Sequence, residues 1–345
     1  MTGAMLNRRI VLAARPQGKA ELNSFRLEHV PIPELRPGEI LLRTLWLSLD
    51  PYMRGRMSDA PSYAAPVAVG AVMVGGTVAR VEQSLNPEYH VGELVVAMNG
   101  WQEFAISSGS GLVKLPPDIQ HPSYALGVMG MPGFTACIGL LDIGKPQPGE
   151  TVVVAAATGA VGSLVGQIAK IKGCRVVGIA GGPEKCDWAV RQLGFDACVD
   201  HRTAAFDESL AAACPQGIDV YFENVGGKIF RTVVPLLNNF ARVPVCGLIS
   251  MYDEGAKPSE GDSAQALMRA VLVKRITLRG FIFSDIYEYR RAEFLAALGA
   301  WLHEGKIKYR EDVVRGLANA PKAFLGLLHG HNFGKVVVDV GGTET

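Results

Sequence analysis

The chain contains 345 residues, enough for two domains of ordinary size. Apolar residues make up 48% and charged residues 19%, so the composition excludes a disordered or coiled-coil protein. The 34 Lys and Arg residues nearly cancel the 33 Asp and Glu residues, and this balance argues against nucleic acid or an anionic membrane as a partner.

Three uncharged stretches are close in length to a membrane-spanning helix, which needs about 20 apolar residues. Residues 60–79 and 121–141 contain prolines and glycines, and residues 151–169 are broken by Thr158-Gly159. The first twelve residues contain no apolar run after their arginines that would make a secretion signal. We therefore expect no membrane segment and a cytoplasmic protein.

The six cysteines are scattered and form no C-x-x-C pair. A disulfide framework or a four-cysteine zinc site normally shows paired short spacings. The sequence therefore predicts reduced, mostly buried thiols at Cys137, Cys174, Cys186, Cys198, Cys214 and Cys246.

The first part of the chain and its tail consist of short apolar and β-branched runs between Pro and Gly residues. Strands are predicted at 9–13, 39–45, 75–81, 94–98, 101–106 and 335–340. Several strands at close spacing with turn signals are typical of an antiparallel, barrel-like β domain. We assign residues 1–130 and 305–345 to this domain.

The middle of the chain alternates between strands and helices. Strands are predicted at 151–156, 176–180, 197–199, 220–223, 242–249 and 277–283, and helices at 132–141, 163–171, 184–193, 206–214, 227–237, 264–273 and 287–304. A long loop is expected at 254–263. The alternation is typical of an α/β domain with a doubly wound parallel sheet. This domain, residues 131–304, is inserted within the β domain.

A glycine-containing turn follows the first strand of the α/β domain. The segment Ala157-Thr158-Gly159-Ala160-Val161-Gly162 fits A-x-G-x-x-G, a variant of the dinucleotide fingerprint in which Ala157 replaces the first glycine. Gly159 lets the backbone approach a pyrophosphate, Gly162 allows close packing of helix on strand, and the helix N-terminus supplies amide donors. The sequence predicts cofactor binding here, although the small residues could also serve packing alone.

The sequence after the second strand favours NADP over NAD. NAD-binding domains normally place an acid about 20 residues after the glycine turn, where it binds the ribose 2′-hydroxyl. This chain has Val177-Gly178-Ile179-Ala180-Gly181-Gly182 there, without an acid. Lys185 is placed to offer a counter-charge to a 2′-phosphate, although a lysine at a helix start is often only solvated.

Further motifs along nearly the whole chain point to one family. They are Leu49-Asp50-Pro51-Tyr52-Met53-Arg54, residues 130–136, Tyr221-Phe222-Glu223-Asn224-Val225-Gly226-Gly227, residues 246–252, and His331-Asn332-Phe333-Gly334-Lys335. With them the chain resembles the zinc-independent medium-chain dehydrogenases/reductases. That branch holds prostaglandin reductase (leukotriene hydroxydehydrogenase), NADPH-dependent alkenal/alkenone double-bond reductases and bacterial curcumin reductase. The resemblance implies a GroES-like antiparallel β-barrel domain, a Rossmann-type doubly wound domain, NADP(H) as cofactor and a homodimer.

The resemblance also implies a set of cofactor contacts. The pyrophosphate would be held by Gly159, Ala160, Val161 and Gly162, and the 2′-phosphate by Lys185. The ribose and nicotinamide would contact Asn224 and the loop Cys246, Gly247, Leu248, Ile249, Ser250, Met251 and Tyr252. The carboxamide would contact Phe281, Ile282 and Phe283, and Asn332 would close the site. One stretch departs from the family pattern. Where the family often has a Tyr in an "NYK"-like stretch at the 2′-phosphate, this chain has Asp200-His201-Arg202. His201 can still donate a hydrogen bond, whereas Asp200 puts the contact in doubt.

The zinc ligands of the zinc-bearing relatives are not found. Residue 50 is Asp where those relatives have Cys, Gly70-Ala71-Val72 replaces a Gly-His-Glu run, and there is no four-cysteine lobe. His329-x-His331 offers only two possible ligands. We expect no bound metal. Without a Lewis acid, alcohol oxidation loses its main electrophile, whereas hydride addition to an activated C=C bond needs only stabilisation of an enolate oxygen.

Two tyrosines are the candidate catalytic residues. Tyr252 can bond the nicotinamide ribose or relay a proton, and Tyr52 can line the substrate cleft; each could instead be a packing residue. The expected activity is NADPH-dependent reduction of small α,β-unsaturated ketones or aldehydes. The alternatives are an NADPH quinone reductase and a non-catalytic NADP-binding protein.

Overall fold

The computed structural model describes residues 5–252 and 262–341. The chain divides into two compact units, one formed by Met1–Gly127 with Glu311–Thr345 and the other by Val128–Arg310. These limits lie three and six residues from the boundaries expected at 130/131 and 304/305. We call them the β unit and the α/β unit.

The elements follow one another in a simple order. The β unit begins with β1 (Leu6–Leu12), β2 (Phe25–Pro31), β3 (Ile40–Ser48), α1 (Tyr52–Arg56), β4 (Thr77–Ser84), β5 (Leu94–Ala97), β6 (Phe104–Ser107) and β7 (Val113–Lys114). The α/β unit contains α2 (Met131–Cys137), β8 (Thr151–Ala155), α3 (Gly162–Ile171), β9 (Arg175–Ala180), α4 (Pro183–Arg191), β10 (Ala197–Asp200), α5 (Phe206–Ala213), β11 (Ile218–Phe222), α6 (Gly227–Val233), β12 (Leu237–Val245), α7 (Asp262–Lys274), β13 (Thr277–Gly280) and α8 (Ser284–His303). The β unit ends with β14 (Glu311–Arg315), α9 (Ala320–Leu328) and β15 (Lys335–Asp339).

The β unit is built on one large sheet. Its strand order is β14-β15-β3-β4-β5-β7, with β6 paired to β3, while β1 and β2 form a separate antiparallel pair. The antiparallel expectation holds except for β14 and β15, which run parallel. Phe25, Trp101 and Phe324 meet in the core, where the rings of Phe25 and Trp101 stack at 5.5 Å. The two parts of the chain that form this unit therefore share a sheet and a core.

The α/β unit confirms the predicted doubly wound parallel sheet. Its six strands run in the order β10-β9-β8-β11-β12-β13, and every pair is parallel. All five residues of β8 are buried, as expected of a strand covered by helices on both faces. The order reverses between β8 and β11. In open sheets of this kind, ligands bind beyond the carboxyl ends of the strands at such a reversal.

Several element boundaries differ from the sequence prediction. The strand predicted at 242–249 begins at Leu237 and ends at Val245, because the amides of Cys246 and Gly247 bond to the carbonyl of Glu223 and turn the chain. The strand predicted at 277–283 ends at Gly280. The helix predicted at 132–141 is α-helical only to Cys137 and widens into a π-helical turn over Ile138–Gly144. Strands β2, β7 and β14 were not among the predicted ranges.

The expected long loop and the expected absence of a membrane segment can be compared with the described residues only. The loop expected at 254–263 lies outside the described residues except for its last two positions, which belong to α7. Over 5–252 and 262–341, no helix is both long enough and apolar enough to span a bilayer.

Candidate cofactor and active site

The glycine turn after β8 has the geometry that the motif predicts. Ala156 adopts a positive φ of 53°, and the amide of Gly159 bonds to its carbonyl at 2.9 Å. A Cβ atom on Gly162 would lie 2.2 Å from that carbonyl oxygen, so only glycine fits where α3 begins. The turn therefore brings the helix N-terminus close to the strand end, which is the arrangement that a pyrophosphate needs.

A group of basic side chains lies beyond β9 and β10. The guanidinium of Arg202 packs against the turn after β9, because a Cβ atom on Gly181 would lie 2.9 Å from its Nε and 3.0 Å from its Cζ. Burial, followed by the charges of Arg202 and Lys185, lowers the pKa of His201, so the three side chains share one region. Arg202 was not among the predicted contacts, although its place in the altered "NYK"-like stretch was a usable signal.

Asp200, whose charge argued against a 2′-phosphate contact at His201, holds two backbone segments together. Its Oδ1 accepts hydrogen bonds from the amides of Gly182 and Arg202, both at 2.9 Å. Burial alone would raise its pKa, but these two amides and the adjacent His201 and Arg202 charges lower it. The carboxylate therefore ties the turn after β9 to the end of β10.

The turn after β11 spans the reversal of strand order. The Nδ2 of Asn224 donates to the carbonyl of Ala155 at 2.9 Å, so the predicted ribose residue joins the ends of β11 and β8. Glu223, missed in the sequence, is 1% exposed, and its Oε1 accepts from the amides of Val225 and Gly226 at 2.6 and 2.8 Å. Burial outweighs these bonds and raises the pKa of Glu223.

The loop after β12 is held against this turn. The amides of Cys246 and Gly247 donate to the carbonyl of Glu223 at 2.9 and 3.2 Å. Further along, the hydroxyl of Ser250 donates to the carbonyl of Val225 at 2.6 Å. The Tyr252 hydroxyl lies over the start of the loop, 3.5 Å from the position of a Cβ atom on Gly247. The structure thus brings the predicted residues 246–252 together with Asn224.

The remaining predicted contacts of the α/β unit follow β13. Phe281 lies edge-on against Phe222 at the end of β11, with ring centroids 6.4 Å apart. The carbonyls of Ile282 and Phe283 accept from the amides of Asp285 and Ile286 and are engaged in starting α8. The carbonyls of Ile282 and Phe283, which belong to the segment proposed to contact the carboxamide, therefore already accept hydrogen bonds within the protein.

Tyr52 and Asn332 belong to the β unit and are described within it. Tyr52 begins α1 and packs partly buried against the core of that unit. Burial, followed by the charge of Asp50, raises its pKa. The side-chain amide of Asn332 donates to the carbonyl of Gly334 at 2.8 Å, which shapes its own loop.

The cysteines and histidines show no metal-binding arrangement. All six cysteines are unpaired, and burial raises the pKa of Cys246 to about 12. The rings of His329 and His331 lie 6.0 Å apart, and Nδ1 of His329 contacts the carbonyl of Leu325. In the part of the chain that the structure describes, no three His, Cys, Asp or Glu side chains are grouped as a metal site would require.

Two family models match the chain. The model described as the N-terminal domain of oxidoreductase matches residues 8–115, and the model described as zinc-binding dehydrogenase matches residues 160–298. The first match falls in the β unit and the second in the α/β unit. The first thus covers most of the β unit's N-terminal part, and the second spans the site residues from Ala160 to Phe283.

Named relatives are similar over almost the whole chain. The NADPH-dependent curcumin reductase of Escherichia coli (strain K12) is 58% identical, with 98% of each chain covered. Prostaglandin reductase 1 of Bos taurus is 42% identical over 92% of this chain and 94% of its own. The crystal structure of CurA from Vibrio vulnificus in complex with NADPH is 59% identical and superposes with a TM-score of 0.95, covering 97% of this chain and 99% of that one. The chain therefore belongs to the medium-chain dehydrogenase/reductase family of oxidoreductases, in the branch of the curcumin and prostaglandin reductases.

Proposed function

We propose that this chain reduces the C=C bond of α,β-unsaturated ketones and aldehydes, with hydride added to the β-carbon and a proton to the α-carbon. The chain is an NADP-dependent oxidoreductase, and NADP(H) is its cofactor. The observation that carries the proposal is that the glycine turn, the basic group, Asn224 and the loop 246–252 all lie at one edge of the parallel sheet, in a chain with these relatives.

The residues present fit the cofactor. A Cβ atom on Gly162 would collide with the Ala156 carbonyl, so glycine lets α3 begin close to the strand end. The turn of Gly159, Ala160, Val161 and Gly162 would hold the pyrophosphate at the start of that helix. Lys185, His201 and Arg202 would bind the 2′-phosphate, because a doubly charged anion needs donors where an NAD-binding domain has an acid. Asn224 and the loop 246–252 would hold the ribose and nicotinamide, and Phe281–Phe283 would contact the carboxamide. Asn332 of the β unit remains a proposed cofactor contact.

When bound, NADPH supplies the hydride. The task of the protein is then to orient the substrate and to stabilise the negative charge that develops on the carbonyl oxygen. Tyr252 is the proposed donor or proton relay, because its hydroxyl lies beside Gly247 and the Asn224 turn. Tyr52 is proposed to line the substrate cleft. This chemistry requires no metal, in keeping with Asp50 and Gly70-Ala71-Val72 at the positions of zinc ligands in other relatives.

The test is an NADPH-consumption assay with three arms: a simple enone, a quinone, and no acceptor. We expect oxidation with the enone, and mass spectrometry should find a product two mass units heavier with its carbonyl intact. Turnover with the quinone alone would contradict the proposal. Binding of NADPH without turnover of either acceptor would indicate a non-catalytic protein.

The assembly and location also belong to this proposal. The resemblance implies a homodimer, and the expected location is the cytoplasm. Light scattering coupled to gel filtration should find twice the 36.9 kDa mass of one chain.

A further inference from the structure

A buried charged cluster in the β unit lies outside the residues assigned so far. Lys335 is 1% exposed, and its Nζ donates to Ser48 Oγ at 2.7 Å, to the Leu49 carbonyl at 2.8 Å and to Asp50 Oδ1 at 2.7 Å. The Ser48 hydroxyl also bonds to the second oxygen of Asp50. An ammonium group has three protons to donate, so every one of them is directed at this segment.

The cluster joins two segments that carry predicted active-site residues. On one side, Lys335 directly follows Asn332-Phe333-Gly334, and this loop is also held by Asp312, which accepts from the amides of Phe333 and Gly334. On the other side, Asp50 precedes Pro51 and Tyr52. The Asp50 carbonyl accepts from the Met53 amide at 3.1 Å as α1 begins.

The two strands that carry these segments are already joined by backbone hydrogen bonds, without the Lys335 side chain. Strands β15 and β3 already pair at Val337 with Ser48, at Val338 with Leu47 and at Asp339 with Trp46. The last backbone bond between the two segments joins the Leu49 amide to the Val336 carbonyl at 3.2 Å. The side chain of Lys335 extends one residue further, to Asp50, where the chain turns toward Tyr52. Because a buried ion pair is costly to desolvate, and an apolar pair of similar volume often stabilises a fold equally well, stability alone gives little reason for the charges.

We propose that Lys335 is a positioning residue, which fixes the Asp50–Tyr52 segment against the Asn332–Gly334 loop and thereby sets the place of the Tyr52 ring for the unsaturated carbonyl substrate. The inference rests on the proposed reductase function. Since Asp312 holds the Asn332–Gly334 loop independently, loss of the cluster should displace mainly the Tyr52 side. The effect should therefore appear in enone turnover and leave NADPH affinity unchanged.

The test combines Lys335→Met with Asp50→Leu, which removes both charges and leaves neither one buried alone. We expect kcat/KM for the enone to fall roughly tenfold to a hundredfold, as a displacement of about 1 Å can produce. The dissociation constant of NADPH and the melting temperature should stay close to those of the wild type. The control is Lys114→Met with Glu93→Gln, a partly exposed ion pair of the same unit, which should change none of the three.

Non-additivity with Tyr52 distinguishes positioning from a general structural role. In a Tyr52→Leu background, the paired Lys335 and Asp50 changes should reduce kcat/KM by less than about twofold, because residues that act together do not add. The same loss in both backgrounds, unchanged kcat/KM, or a parallel loss of NADPH affinity, stability and turnover would each overturn the proposal.

If the double variant does not fold, Ser48→Ala keeps both charges and removes one partner of Nζ, and it should show a smaller loss with the same dependence on Tyr52; an additive loss or none overturns the proposal. A wild-type chain that does not reduce the enone refutes the proposed function and this role with it. A wild-type chain that does, with unchanged variants, refutes the role of Lys335 alone.

Discussion

The carboxylate of Asp200 accepts a hydrogen bond from the amide of Gly182 at 2.9 Å. The same oxygen accepts from the amide of Arg202, so one side chain fixes both the turn after β9 and the residue whose guanidinium packs on that turn. A carboxylate beside a proposed phosphate site would be expected to repel the anion. Here the carboxylate accepts hydrogen bonds from two amides, and it fixes the backbone position of Arg202.

This relationship predicts how the enzyme distinguishes its cofactors. In the proposed site, Arg202→Ala removes a charged donor that would bind the 2′-phosphate of NADPH and find no partner on NADH. Hydrogen bonds to charged groups contribute about 1.5–3 kcal/mol. We expect the dissociation constant of NADPH to rise roughly tenfold to a hundredfold while that of NADH holds. Lys185→Ala should act in the same direction. Fluorescence titrations with both cofactors measure the effect.

The control for this prediction is Arg191→Ala. Arg191 lies in the last turn of α4, pairs with Asp187 and is largely exposed, so its loss should leave both cofactors unaffected. Equal losses for NADPH and NADH in the Arg202 or Lys185 variant would show that neither side chain reads the phosphate.

Glu223 leads to a prediction about stability and pH. Burial raises its pKa in the folded protein above the usual carboxyl value, against the opposing bonds from Val225 and Gly226. A raised pKa in the folded state means that folding is favoured most at low pH, and that this contribution is lost as the pH rises through the folded-state pKa. Glu223→Gln keeps an oxygen for both amides and removes the ionisation. The variant should therefore gain melting temperature over the wild type at pH 8 but not at pH 5.

Thermal melts at the two pH values measure this difference, and each kcal/mol corresponds to roughly 2–4 °C. Glu88→Gln is the control, because Glu88 is an exposed residue of the β unit whose replacement should leave the pH dependence unchanged. A Glu223→Gln variant that melts at a lower temperature at pH 8 would mean that the ionised carboxylate stabilises the turn.

The parts of the candidate site that depend on local backbone geometry could be predicted from the sequence. The glycine turn requires a residue without a side chain at Gly162, and that requirement is visible in the motif itself. The alternation of apolar strands and helices likewise predicts the parallel sheet. The order of the strands then brings the turns after β8, β9, β11 and β12 to one edge.

Contacts between distant side chains were not predictable in the same way. Lys335 and Asp50 are 285 positions apart, and no pattern in the sequence relates them. The two hydrogen bonds that Asp200 accepts from the amides of Gly182 and Arg202 could not be read from the sequence, because they depend on how the turn after β9 meets the end of β10. The end of β12 was placed four residues too late because apolar residues continue through Ile249, whereas the backbone turns at Cys246 to bond with Glu223.

The proposed chemistry predicts that the enzyme needs no metal. Asp50, at the position of a zinc-binding cysteine in other relatives, bonds to the ammonium of Lys335. Activity should therefore survive prolonged treatment with a chelator, and elemental analysis should find no stoichiometric zinc. Zinc recovered at one per chain, with activity lost on its removal and restored on its return, would refute this prediction.

Tyr252 provides the last prediction, which concerns the chemical step. Its hydroxyl lies close to Gly247, in a loop that the Glu223 carbonyl and Ser250 hold against the Asn224 turn. Tyr289, an exposed tyrosine of α8 with 87% of its surface accessible, is a matched control for the same substitution. Tyr289→Phe should leave turnover and cofactor affinity unchanged.

In Tyr252→Phe the ring and its packing remain and only the hydroxyl is lost, so the melting temperature should hardly change. A donor directed at a developing enolate oxygen can contribute about 3 kcal/mol to the transition state, which corresponds to roughly a hundredfold in kcat. Because the donor acts on charge that appears only during reaction, the dissociation constant of NADPH should stay the same while kcat for the enone falls. Steady-state kinetics beside an NADPH titration measure both quantities. If kcat is unchanged, water or a cofactor hydroxyl supplies the proton, and Tyr252 serves only as a wall of the pocket.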